Sequence, residues 1–209
     1  ADLDALPSGW RVLQLPGTEF GAYRWGYTVD QPLPALTERP LVTRDLLPLG
    51  SAAAMDLVFA LDDRFQEGTV EVESIAPIAR LLGVDTVWVT GDIAFDRFRL
   101  ARPEIVDDLL TDSAAAEAGL LPPRRFGEPT VMAPDIAMVD EQQIGDGRVG
   151  APIAPVSLVG VEDAIPTIRV KTDEVVLAGD GAGLLDAAAA GAVDGNELIR
   201  YSASLGDDL

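Results

Sequence analysis

The side chains of this sequence that could do acid–base chemistry are almost all carboxylates. Its 209 residues include 35 Asp and Glu, 15 Lys and Arg, no histidine and no cysteine. Three local acid pairs stand out: Asp62-Asp63, Asp92 with Asp96, and Asp107-Asp108. Glycoside hydrolysis needs two carboxyls about 5–10 Å apart flanking a sugar. Asp92 and Asp96 follow a stretch that reads as a strand, and α/β proteins often place their sites just there. So acidic a chain also makes such pairs by chance, and a solvated surface is the weightier reading. Without histidine or cysteine there is no Ser-His-Asp triad, Cys-His pair, histidine-ligated zinc, iron–sulfur cluster or disulfide. Asp194-Gly-Asn-Glu197 reads as a turn rather than a calcium loop, so neither a metal nor a cofactor is expected.

The most distinctive run is aromatic. Phe20, Tyr23, Trp25 and Tyr27 fall within eight residues of a chain that is only 6% aromatic. Aromatic faces beside Arg, Asp and Glu suit carbohydrate, because sugar C–H faces stack on rings while hydroxyls bond to the polar groups. Tyr and Trp serve protein interfaces for the same amphipathic reason. A long loop pinned to the core by its rings is an equally weighted alternative. A second candidate is the glycine-rich turn Gly179-Asp-Gly-Ala-Gly183 before an Ala-rich helix, since helix N-termini attract phosphate. Position 184 is leucine, which breaks the dinucleotide fingerprint, and there is no P-loop lysine. Asp180 also puts a negative charge where a phosphate would sit, so a structural βα turn is favoured.

The net charge of −20 argues against nucleic acid, whose binding rests on neutralising phosphates, and against a basic patch on an anionic membrane. Residues 1–102 carry 15 acids and 9 bases, whereas residues 103–209 carry 20 and 6, so the acidity lies mostly in the second half. At 48% hydrophobic residues the chain can bury a sizeable core. The longest apolar stretch, Leu46 to Leu61, is interrupted by Pro48, Gly50 and Asp56, and a bilayer span needs about 20 apolar residues. The chain opens at Ala1 with no signal-peptide regions, as a processed protein or an excised domain would.

The elements that must position these groups can be outlined from pattern. Residues 10–15 alternate as a strand. A long aromatic, proline-rich loop is expected to follow, spanning 18–50 with a short strand at 41–43. Ser51 is a candidate N-cap for a helix over 52–66, stopped by Gly68. Ser74 is read as the cap of a second helix that ends at Gly83, and Thr86–Thr90 is a strand. Further helices are expected at 104–110 and 184–190. Residues 111–129 read as loop and 134–155 as irregular. Strands are expected at 130–133, 156–161, 167–171, 174–178 and 198–202, with a frayed tail from Gly206. Helix–Gly–strand units at 52–90 and 175–202 point to an α/β fold with a mixed, largely parallel sheet flanked by helices. The division expected is residues 1–150 as the α/β domain and 151–209 as a smaller β-rich segment on the same sheet.

Several stretches resemble the actinobacterial α-(1→3)-arabinofuranosyltransferase family. They are Arg11–Asp30 (RVLQLPGTEFGAYRWGYTVD), Arg39–Ser51 (RPLVTRDLLPLGS), Ala60–Gly68 (ALDDRFQEG), Ala79–Gly83 (ARLLG), Arg97–Pro103 (RFRLARP) and Pro122–Gly127 (PPRRFG). Asp140-Glu-Gln and Arg148-Val-Gly150 add to them, and the likeness is strongest over 10–150. The resemblance implies a large polytopic membrane enzyme of the cell envelope. Such enzymes extend arabinogalactan and lipoarabinomannan from decaprenylphosphoryl arabinose. Their expected catalytic acid lies in an extracytoplasmic loop between early transmembrane helices and has no counterpart position here, so no catalytic residue is assigned.

The expectation is therefore a periplasm-facing accessory domain that is not catalytic by itself. Its partners would be the transmembrane portion of the same polypeptide and arabinan or galactan glycan, with no nucleic acid. The candidate glycan contacts are Tyr23, Arg24, Trp25, Tyr27 and Asp30, rings stacking and Arg or Asp bonding hydroxyls. The alternatives are a purely structural module packing on transmembrane helices, with an exposed apolar patch around Phe20–Trp25, and a free-standing glycosidase acting through Asp92 and Asp96.

Overall fold

A computed structural model describes residues 3, 9–44, 50–137, 139–140, 144–145, 150–171 and 173–205. The expected fraying from Gly206 onward lies outside these residues. The strands are β1 (Arg11–Leu15), β2 (Gly21–Tyr23), β3 (Gly26–Val29), β4 (Leu41–Val42), β5 (Val84–Thr90), β6 (Arg124–Phe126), β7 (Thr130–Val131), β8 (Pro152–Ile153), β9 (Val156–Gly160), β10 (Glu174–Leu177) and β11 (Leu198–Tyr201). The helices are α1 (Leu33–Leu36), α2 (Ala52–Glu67), α3 (Ile75–Leu81), α4 (Phe95–Phe98), α5 (Pro103–Thr111), α6 (Ser113–Glu117) and α7 (Gly181–Ala189).

The main sheet has the order β4-β1-β5-β9-β6. β4, β1 and β5 run parallel, and β9 is antiparallel to both β5 and β6. This is the mixed α/β sheet expected from the helix–Gly–strand pattern. β1 has its successor strand β4 on one side and β5 on the other, so its carboxyl end is a topological switch point, where open α/β sheets form clefts. Strand alternation divides the two faces. Leu13, Leu15, Val87 and Val89 enter the larger core with Leu57, Leu61 and Phe65 of α2 and Ile75 and Ile78 of α3. Val12, Trp88 and Leu158 face the other way, toward Leu3 and Leu33.

Local chemistry explains the helix limits. Ser51 caps α2 by accepting from the Ala54 N–H, and Gly68 ends it at φ 68° in the left-handed region that glycine tolerates. Ser74 does not cap α3 through its side chain. A 3₁₀ turn at Val72–Ser74 runs into the helix, so Ser74 is already helical and its hydroxyl donates to the Glu71 carbonyl at 2.7 Å. Pro103 opens α5, where its missing N–H costs nothing. At α7, Asp180 caps the Gly183 N–H at 3.0 Å and the Asp56 carboxylate takes the Gly181 N–H at 2.6 Å. A Cβ on Gly181 would lie 2.6 Å from the Leu57 Cα, so the close docking of α7 on α2 requires glycine there. This is the structural turn expected, with the helix N-terminus already filled by two carboxylates.

Three segments differ from expectation. The stretch after β1 is not one long loop: β2 and β3 form an antiparallel hairpin, followed by α1 and β4. Residues 111–129 contain α6, capped by Asp112, and the edge strand β6. Residues 167–171 alternate like a strand but pair with no strand among the described residues, and Ile168 and Val170 are over 90% exposed. Arg169 fixes this segment instead, donating to the Arg80 and Leu81 carbonyls at the end of α3. β10 and β11 form a separate two-stranded parallel sheet, while Leu184 and Leu185 of α7 join the larger core.

Candidate functional site

The hairpin β2–β3 stands on the segment leaving the carboxyl end of β5. The Arg24 N–H donates to the Asp92 carbonyl at 2.8 Å, and the Ala94 N–H donates to the Ala22 carbonyl at 2.9 Å. The turn of the hairpin, Arg24-Trp25, is thereby held against Asp92–Ala94, and the register shift between Gly21 and Ala22 lets Val29 adopt φ 68° at its base.

Tyr23 is buried and lies flat against Trp25, with ring centroids 5.0 Å apart and planes 9° apart. Its hydroxyl donates to Gln31 Oε1 at 2.6 Å, and the same oxygen accepts from Gln14 Nε2 at 3.2 Å. Gln31 Nε2 donates to both the carbonyl and the hydroxyl of Thr18. Gln31 thus ties β1, the post-β1 turn and the hairpin together. Burial, with the Asp92 charge adding to it, pushes the Tyr23 phenol up to about 12.

Trp25 is 61% exposed although one face lies on Tyr23, so its other face is open to solvent. Its indole N–H donates to Asp92 Oδ2 at 2.8 Å. Burial raises the Asp92 carboxyl above the usual carboxylate range, and the Trp25 bond only partly offsets this. Tyr27, half exposed, carries the Arg97 guanidinium over its ring at 5.2 Å. Arg24 turns inward: it donates to Asp96 Oδ1 at 2.7 Å, lies 3.2 Å from an Asp135 carboxylate oxygen and sits 5.1 Å from the Phe95 ring centre. The other Asp96 oxygen accepts the N–H groups of Asp135 and Ile136, each at 3.0 Å. Burial alone would raise the Asp96 carboxyl, but the Ile136 N–H and Arg24 outweigh it and hold it below the usual range. Asp30 lies exposed past the end of β3, at the base of the hairpin, where its carbonyl accepts the Thr28 hydroxyl at 2.7 Å.

Of the five residues expected to contact glycan, the hairpin turn brings Tyr23, Arg24 and Trp25 together, with Tyr27 on the following strand and Asp30 apart from them at the base. Trp25 and Tyr27 present rings to solvent, whereas Tyr23 and Arg24 hold the hairpin in place. Sequence reasoning missed Gln31 and Arg97, which act through tertiary contacts that no local pattern marks. Both oxygens of Asp96 are engaged, one by Arg24 and the other by the Asp135 and Ile136 N–H groups, and one oxygen of Asp92 accepts the Trp25 indole N–H.

The alpha-(1→3)-arabinofuranosyltransferase N-terminal GT-C domain model matches residues 3–206. The chain belongs to this family. The family's alpha-(1→3)-arabinofuranosyltransferase from Mycobacterium tuberculosis is 30% identical over 158 residues, covering 72% of this chain and 11% of that protein. The one from Mycolicibacterium smegmatis is 31% identical over 119 residues, covering 57% of this chain and 8% of that protein. The cryo-EM structure of arabinofuranosyltransferase AftD from Mycobacteria, mutant R1389S class 1, superposes on 86% of this chain and 14% of its own, with a TM-score of 0.65 at 26% identity. The chain therefore spans about a tenth of the length of the family members it matches. Among the described residues no helix is long and apolar enough to cross a membrane.

Proposed function

We propose that this chain is the periplasm-facing accessory domain of a cell-envelope arabinofuranosyltransferase, and that it positions acceptor glycan for an active site elsewhere in the polypeptide. The parent enzyme would extend arabinogalactan or lipoarabinomannan from decaprenylphosphoryl arabinose. Membership of the arabinofuranosyltransferase family supports the setting. The observation that carries the glycan reading is Trp25, held on Tyr23 and by Asp92 yet open on one face. A ring fixed before the ligand arrives loses little entropy on binding. Tyr27 extends the platform, Asp92 lies within reach of a hydroxyl, and Tyr23 and Arg24 hold the platform in place. Titration of the 209-residue chain with arabinan fragments tests this, read by tryptophan emission. A saturable change that disappears in Trp25→Phe supports the reading, and no change at millimolar fragment removes it.

A second observation favours a supporting role beside this one. The sheet face turned away from the larger core carries an apolar groove of about 550 Å³ lined by Leu3, Leu33, Leu36, Trp88, Phe126 and Leu158. In the proposed setting this groove packs on the transmembrane portion of the same polypeptide. Cross-linking from position 36 in the full-length enzyme tests it, and failure to capture a transmembrane segment removes it.

A further inference from the structure

A second cavity lies at the switch point of the sheet, apart from the Trp25 platform. It has a volume of about 380 Å³, within the range of about 300–1,000 Å³ usual for small-molecule sites. Its walls come from Gly17–Phe20 after β1, Arg44 after β4, Asp62, Asp63 and Gln66 on α2, and Phe98–Leu100 at the end of α4. These are four of the stretches on which the family resemblance rests, far apart in sequence and brought to one cleft by the fold.

The lining selects a class of ligand. Phe20 and Phe98 form an aromatic wall, with ring centres 5.9 Å apart. The same cavity is also lined by a carboxylate–guanidinium cluster. Asp62 is buried, accepts the Gly17 N–H at 2.7 Å and receives Arg44 Nη1 at 3.1 Å. Asp63, on the exposed side, takes the same Arg44 nitrogen at 2.5 Å. Arg44 is thus neutralised twice, and Glu19 adds a third acid to the walls against Arg99. A phosphate would meet more negative than positive charge. No group of three acids able to hold a metal ion occurs among the described residues. A neutral polyol with an apolar face can use every wall: carboxylates accept its hydroxyl protons, guanidinium groups donate to its oxygens, and the rings cover its C–H face. Arg99 enters the cleft from a left-handed backbone at φ 55°, an uncommon conformation for a residue other than glycine.

We infer that this cleft is a binding site for a single neutral sugar ring, with Phe20 and Phe98 as the stacking wall and Asp63, Arg44 and Arg99 as the hydroxyl partners. α4 stands between the two sites: its Arg97 lies over Tyr27 of the platform, and its Phe98 over Phe20 of the cleft. The ligand class follows from the cleft's own lining and does not depend on the platform's binding glycan.

The test is amide chemical-shift mapping of the 209-residue chain with methyl α-arabinofuranoside, and separately with inorganic phosphate. The expected result is saturable shifts at Gly17, Thr18, Phe98 and Arg99 with the furanoside, with a midpoint on the order of millimolar, and none with phosphate. Phe98→Ala and Asp63→Ala, both at solvent-accessible side chains, each raise that midpoint about tenfold, while Trp25→Ala changes it less than about twofold. Absence of saturable shifts at these amides overturns the inference, as do equal shifts with phosphate or midpoints unmoved by both cleft variants.

Discussion

The Trp25 indole N–H donates to the Asp92 carboxylate at 2.8 Å, joining the turn of the β2–β3 hairpin to the chain leaving the central strand. The bond crosses 67 residues of sequence and sits at the surface. Its physical effect is therefore to orient the ring more than to stabilise the fold. Asp92→Ala is expected to change unfolding free energy by less than about 1 kcal/mol, because water replaces the lost acceptor. Time-resolved fluorescence anisotropy of Trp25, with Trp10 and Trp88 replaced by Phe, should nevertheless show a freer indole. An anisotropy decay that does not change would mean the Tyr23 stack alone holds the ring.

The ion pair beneath the platform behaves differently. Arg24 and Asp96 are largely buried, with side chains 17% and 2% exposed. Asp96→Ala leaves the Arg24 guanidinium with the exposed Asp135 carboxylate in place of a buried one, takes the acceptor from the Asp135 and Ile136 N–H groups, and is expected to cost roughly 3 kcal/mol, measured by urea unfolding. The pH dependence follows from the lowered Asp96 carboxyl. It contributes stability above its unfolded value of about 3.9 and loses it as pH falls through the lower folded value. Asp96→Asn should accordingly flatten the decline of stability below about pH 4.

Tyr23 gives the opposite limb. Its phenol is raised to about 12, so the folded state keeps the proton longer than the unfolded state does. The contribution is intact below about pH 10 and is lost as pH rises toward the folded value. Tyr23→Phe should remove that alkaline decline and cost about 1 kcal/mol at neutral pH for the lost bond to Gln31. Stability curves of the two proteins between pH 8 and 11 check both statements.

At the other end of the molecule, Asp180→Ala should cost about 1 kcal/mol by uncapping α7. Added phosphate or nucleotide should leave the melting temperature of the unaltered chain where it is, since the Gly181 and Gly183 N–H groups already bond to Asp56 and Asp180.

What could be read from sequence was whatever local chemistry decides. α2 lies between a serine cap and a left-handed glycine, and β5 is a run of β-formers, so both were legible to within about two residues. The hairpin was not. Its turn, Arg24-Trp25, lacks the Asn-Gly or Asp-Gly pair that marks tight turns, and its pairing is completed by Asp92–Ala94 far along the chain. Thr167–Lys171 failed the other way: alternation is present without a strand to pair with among the described residues. The aromatic residues were visible as a cluster, but which rings open to solvent and which brace the hairpin depends on Gln31 and Arg97. The sugar cleft had no local signature, because four separate segments each supply part of its wall.

A Trp25–Tyr27 face that receives acceptor glycan must respond to an arabinan fragment at its own amides. Amide-shift mapping with an arabinan fragment tests it most directly, using the unaltered chain and Trp25→Ala with Tyr27→Ala. Saturable shifts are expected along residues 23–27 and 92–97, vanishing in the double variant while the rest of the spectrum stays dispersed. Shifts confined to other parts of the molecule, or undiminished in the double variant, would contradict glycan binding at this face.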